Sequence, residues 1–217
     1  MFPTDAATEY FTDTVVLARI NAEVDTATAK KFAISGYPTM VLIRPDGSEI
    51  DRIIGYLEID DLIQTVDNYQ KGIGTLDDLL HRMETSPDRD MALEIADKYK
   101  YSGRPEKATQ WFNRVITMGK ATDSLSGEAR SEEANMHYRA KEYDDALSEY
   151  ANIAQDFSSS SFGRDALIWQ GLIYMSMDKN QDAIARFESY LKKYPDSEDA
   201  DYVKDKLKTL QADGNKN

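Results

Sequence analysis

The chain has no cysteine. Its 217 residues therefore supply no disulfide, no thiolate nucleophile and no thiolate metal ligand. The absence leaves the compartment open, because reducing and oxidising locations both hold cysteine-free proteins. Histidine is almost as scarce. His81 and His137 are the two present, and they fall in different expected elements without ligand-like spacing, so the reading is no metal and no cofactor. No apolar run approaches the ~20 residues that cross a bilayer. The opening "MFPTDAATEYF" has acids but no basic n-region, so no signal peptide is visible. Basic charge is also in deficit. Lys plus Arg number 26 against 39 Asp plus Glu, a formal charge of −13, which repels nucleic acid and anionic lipid. Residues 1–72 carry 12 acids and 6 bases and the remainder 27 and 20, so there is no acidic tail and no basic patch. The nucleophile-elbow, phosphate-loop and dinucleotide motifs are missing as well. No catalytic residue is assigned.

What is present begins with an ordinary soluble composition, 41% hydrophobic and 30% charged, sufficient for one large domain or two small ones. Thr14–Ile20 ("TVVLARI") is β-branched and apolar and reads as a strand. Asp25 can cap the helix "TATAKKFAI", whose Ala29, Phe32 and Ala33 share a face. Ser35-Gly36 is expected to end it, with Gly36 in the left-handed region. "TMVLIR" (39–44) is a buried strand, "PDGS" (45–48) a turn, and "EIDRIIG" (49–55) the returning antiparallel strand. Ile59, Leu62, Ile63 and Val66 then mark one face of a closing helix to about Gln70.

This order resembles the C-terminal half of the thioredoxin fold, with Gly36-Tyr37-Pro38-Thr39 in the place of that family's G-x-P-T motif. The resemblance covers Thr14–Tyr69 well and Phe2–Asp13 loosely, where a short helix near Ala6–Phe11 is expected. It implies a cis Pro38 preceded by Tyr37, the residue that pairs with substrate backbone. Read without the family, Pro38 is a trans proline that starts a strand, where a missing N–H costs little. The family's C-x-x-C lies a few dozen residues before that proline, and counting back from Pro38 it would fall just before Met1. The strand leading into it would lie between those at 14–20 and 39–44, so each is expected to keep an open edge.

From Thr75 the pattern changes to helices that repeat. Ala108, Ala146 and Ala183 recur at spacings of 38 and 37, Phe112, Tyr150 and Phe187 follow four residues later, and Tyr99, His137 and Tyr174 precede by nine. Gly103 fills a turn position, Gly171 a close-packing position, and Pro195 follows the third unit. These units are similar to tetratricopeptide repeats. His137 at an aromatic position and Lys141 where glycine is common make the middle unit the least typical. Thr75–Glu84 reads as a lead-in helix, and "DADYVKDKLKTLQ" as a capping helix apolar at Tyr202 and Leu207. Stacked repeats offer an inner wall from each first helix, here Asp97, Lys100, Tyr101, Asn135, Tyr138, Arg139, Leu172 and Met175. Asn135 and Arg139, one turn apart, could hold a backbone amide and a carboxylate; an ordinary solvated face is the plainer reading. Asp77-Asp78, Asp144-Asp145 and "DSEDAD" (196–201) lack calcium-loop spacing and read as helix N-terminal charge.

The expected architecture is thus α/β plus all-α: residues 1–72 a partial thioredoxin-like domain, residues 75–217 a helical solenoid of tetratricopeptide type. The expected function is protein interaction. A protein or peptide would bind the repeats, Tyr37 and Pro38 would form a second docking point, and self-association through sheet edges is open. The alternative is the C-terminal fragment of a thiol-disulfide oxidoreductase. A third reading is a redox-inactive chaperone. Resemblance to extracytoplasmic bacterial proteins implies a periplasmic setting, with the cytoplasm as the alternative.

Overall fold

The computed structural model describes residues 10–12 and 15–214, which divide into two compact units, 1–111 and 112–217. In the first unit a helical turn at Tyr10–Thr12 falls at the end of the expected short helix, whose earlier residues lie outside the described ones. Residues 15–20 form no strand, contrary to expectation, and Val16, Leu17 and Ile20 are exposed. A β-propensity run needs a neighbour to complete its ladder, and among the described residues none lies alongside.

Asp25 caps α1 (Thr26–Lys31) by accepting from the Thr28 amide. The helix stops earlier than its sequence implies: Phe32 is the C-cap and Ala33, not Gly36, takes the left-handed conformation at φ 50°. β1 (Thr39–Ile43) and β2 (Glu49–Ile54) pair antiparallel as a hairpin, the two strands of the described sheet. Its turn follows the sequence logic. Gly47 sits at φ 85°, and the Asp46 carboxylate accepts from the Ser48 amide and hydroxyl, which holds its pKa below the usual value. α2 (Ile59–Gln70) lays Leu62 and Val66 against Ile53 and Phe11, the core of this half. Tyr10 donates to Asp67 at 2.5 Å; burial first, then the carboxylate, pushes its pKa up to about 12.

α3 (Leu76–Thr85), capped by Thr75, and α4 (Arg89–Tyr101), capped by Asp88, follow. They join this unit because β2 carries two buried charges on opposite faces. Asp51 accepts from Lys98 Nζ at 3.1 Å and from the Leu76 amide at 2.7 Å. Arg52 forks onto Glu49 through two 2.7 Å bonds and donates to the Phe32 and Tyr101 carbonyls. The compact unit therefore runs past residue 72, since the ends of α1, α3 and α4 all satisfy groups on one strand. α5 (Pro105–Thr117) spans the division.

The second unit stacks α6 (Ser124–Arg139), α7 (Tyr143–Asp156), α8 (Ser161–Ser176), α9 (Asn180–Lys193) and α10 (Ala200–Gly214). The repeat alignment is a packing alignment: Ala146, Ala183, Phe187 and Tyr150 are buried, as are Ala108 and Phe112 of the first repeat. Gly171 lets α8 approach α9, for a Cβ there would lie 2.4 Å from the Phe187 ring. Each repeat turn also uses the same backbone state. Gly103 (φ 71°), Lys141 (φ 63°) and Asp178 (φ 57°) are left-handed at spacings of 38 and 37, yet only the first is glycine. On α10 the core face is Val203, Leu207 and Leu210. Tyr202 is 45% exposed rather than apolar-facing, because a five-residue step from 202 to 207 leaves the 3.6-residue stripe. Among the described residues no helix is long and apolar enough to cross a membrane.

Candidate functional site

Tyr37 and Pro38 enter β1 through a cis peptide bond. The Pro38 carbonyl accepts from the Gly55 amide at 2.8 Å, one step beyond the Thr39↔Ile54 pair. Tyr37 and Tyr56 flank this last pairing, Tyr37 just before Pro38 and Tyr56 just after Gly55. Both rings project into solvent, 69% and 66% exposed. Thr39 Oγ1 donates to the Gly36 carbonyl at 2.8 Å and holds the approach to the strand. The sequence reading singled out Tyr37 but not Tyr56. The available signal was the aromatic directly after Gly55, whose φ of 84° ends β2. The other edge of β1 has no strand beside it among the described residues.

The expected inner-wall residues fall in both units. In the first, Lys100 pairs with Asp97 at 2.5 Å and lies 4.4 Å from the Tyr101 ring centre, so these three form one local cluster on α4. In the second, Arg139 Nε donates to Asn135 Oδ1 at 3.1 Å. The amide oxygen that was to meet a partner is thus already engaged. Tyr138 bonds Ser176 Oγ at 3.0 Å and packs edge-on to Trp169, which stacks on Tyr150. Leu172 and Met175 lean on the cluster around Phe187 and Tyr190, so part of their surface is packing.

Charge gathers along α6 and α7. Burial, then the Glu149 carboxylate, raises the Glu133 pKa to about 7, while His137 and Arg130 pull it down. His137 Nδ1 is 2.7 Å from Glu142 Oε2. Ligand atoms of His137, Glu142 and Asp145 lie within 4.8 Å of one another. Sequence spacing did not disclose this group, because a helix end and a turn separate its members.

Residues 3–68 match the family model described as Thioredoxin, and residues 165–197 match that described as Tetratricopeptide repeat. The chain is 31% identical over 55 residues to a thioredoxin of Chlamydia caviae, an alignment over 25% of this chain and 53% of that protein. It thus spans about half the length of the curated relative it matches. Among solved structures, a tetratricopeptide repeat protein from Parabacteroides merdae superposes with a TM-score of 0.51 at 17% identity, over 71% of this chain and 60% of that one. MamA gives 0.45 at 16%, over 75% and 98%.

Proposed function

We propose that this chain, a thioredoxin-type segment followed by tetratricopeptide-type helical repeats, is a protein-interaction module that receives an extended peptide. The observation that carries the reading is the exposure of both Tyr37 and Tyr56 where the β1–β2 hairpin opens, next to a β1 edge that no strand covers among the described residues. An edge strand offers unpaired amides and carbonyls to an extended chain, and exposed aromatics flanking it favour binding. A second copy could use the same edge. On the repeats, the remaining guanidinium nitrogens of Arg139 suit a carboxylate, while Tyr138 and the exposed parts of Leu172 and Met175 supply apolar contact.

Thiol chemistry is outside the reach of these 217 residues, because exchange needs a thiolate. The alternative is that the chain serves as the latter part of a thiol-disulfide oxidoreductase, a reading that the match over residues 3–68 suggests without setting it above the first. Fluorescence anisotropy with a panel of labelled extended peptides tests the binding reading. Saturable binding that Tyr37→Ala weakens supports it, and no binding by any peptide defeats it. Insulin reduction by the chain alone should stay at background. Activity restored by fusing a C-x-x-C-bearing segment in front of residue 1 would favour the alternative.

A further inference from the structure

The least typical repeat turn gathers three groups able to ligate a metal. His137 stands in the last turn of α6, Glu142 directly before α7 and Asp145 in its first turn. The backbone fixes the arrangement. Lys141 reverses the chain at φ 63°, and the Glu142 amide donates to the His137 carbonyl at 2.9 Å. Glu142 occupies the N-cap position but makes no side-chain bond to the helix start; its carboxylate turns to the imidazole instead. Among the described residues no hydrogen bond or ion pair holds the Asp145 carboxylate. The helix dipole accounts for acids in a first turn. It does not account for an imidazole nitrogen aimed at them.

We propose that this turn binds a divalent transition-metal ion of the zinc class, held by His137 Nδ1 and the Glu142 and Asp145 carboxylates, with water in the open position. Two ligand atoms on a tetrahedral ion with bonds of about 2.1 Å stand about 3.4 Å apart. The 2.7 Å pair has to open slightly and the widest separation, up to 4.8 Å, has to close. Side chains 40% and 52% exposed make that adjustment by rotating. One imidazole with two carboxylates suits zinc, cobalt or nickel, whereas calcium and magnesium favour oxygen alone. The bound ion ties the end of α6 to the start of α7 and stabilises the folded repeat by mass action.

The test uses the full chain after chelator treatment, with Zn²⁺ read by calorimetry and Co²⁺ by its visible absorption. One saturable site, a rise in Tm with Zn²⁺, and no competition from Ca²⁺ are expected. His137→Ala and Glu142→Gln should each weaken binding roughly tenfold or more, and His81→Ala should change nothing. Both altered side chains are partly exposed, so circular dichroism should show folded variants, and either one alone decides the question. Unchanged affinity in His137→Ala or Glu142→Gln, loss in His81→Ala, equal competition by Ca²⁺, or no saturable binding at millimolar Zn²⁺ overturns the proposal.

Discussion

Lys98 Nζ donates to Asp51 Oδ2 at 3.1 Å, joining the middle of β2 to the last turn of α4 across 47 residues of chain. Both side chains are nearly sealed from water, 10% and 3% exposed. Asp51→Ala leaves a largely buried ammonium with the Tyr69 hydroxyl and a looser Glu94 carboxylate at 3.9 Å, and should cost about 3 kcal/mol in denaturant titrations. Replacing both partners, Asp51→Leu with Lys98→Met, should cost less than the single change. A double variant as unstable as the sum of its parts would show the pair to be uncoupled.

The same pair sets a high-pH limit. Burial opposes the Lys98 charge, but Tyr69 and Asp51 outweigh it, and the pKa is raised from 10.5. A raised folded value means that the stabilisation is complete below the unfolded pKa and is lost as pH climbs through the folded one. Tyr10, at about 12 against 10.0, acts in the same direction. Thermal melts of the wild type should therefore weaken above pH ~10.5, and those of Lys98→Met less steeply.

Glu133 gives a second pH signature, at neutral range. Its folded pKa of about 7 exceeds the ordinary 4.5, so its contribution is intact below pH 4.5 and disappears as pH rises through 7. Glu133→Gln should raise Tm at pH 8 and leave it nearly unchanged at pH 4.5. An equal shift at both would reject Glu149 repulsion and burial as the cause.

Left-handed turns at Lys141 and Asp178 predict gains. Lys141→Gly and Asp178→Gly should each stabilise the repeats by about 1 kcal/mol, because glycine lacks the Cβ that crowds this conformation. Gly103→Ala should destabilise for the mirror reason, and also because its new Cβ would lie 2.6 Å from that of Ala33. Chemical denaturation of the three variants reads all of this directly.

Gly171→Ala should lower stability by roughly 1–3 kcal/mol, as overpacking against Phe187 does. Phe187→Leu in the same chain should return part of the loss. Failure of that rescue would place the strain elsewhere on α8.

Much of this protein was written locally. The hairpin, its Pro-Asp-Gly turn, the Asp25 cap and the 37- to 38-residue recurrence of Ala and aromatic positions depend on neighbouring residues or on helical period, and a sequence displays both. The absence of a thiol is likewise a property of composition. Tertiary structure decided what depends on distant partners. Residues 15–20 have strand chemistry without a ladder to join. Asp51 and Arg52 look like surface charges on a strand until α1, α3 and α4 bring their partners. Tyr56 comes to the same end of the hairpin as Tyr37 only because β1 and β2 pair, and His137 meets Glu142 and Asp145 only because Lys141 turns the chain back. Propensity and periodicity act over a few residues, while pairing and burial are settled by the whole chain at once.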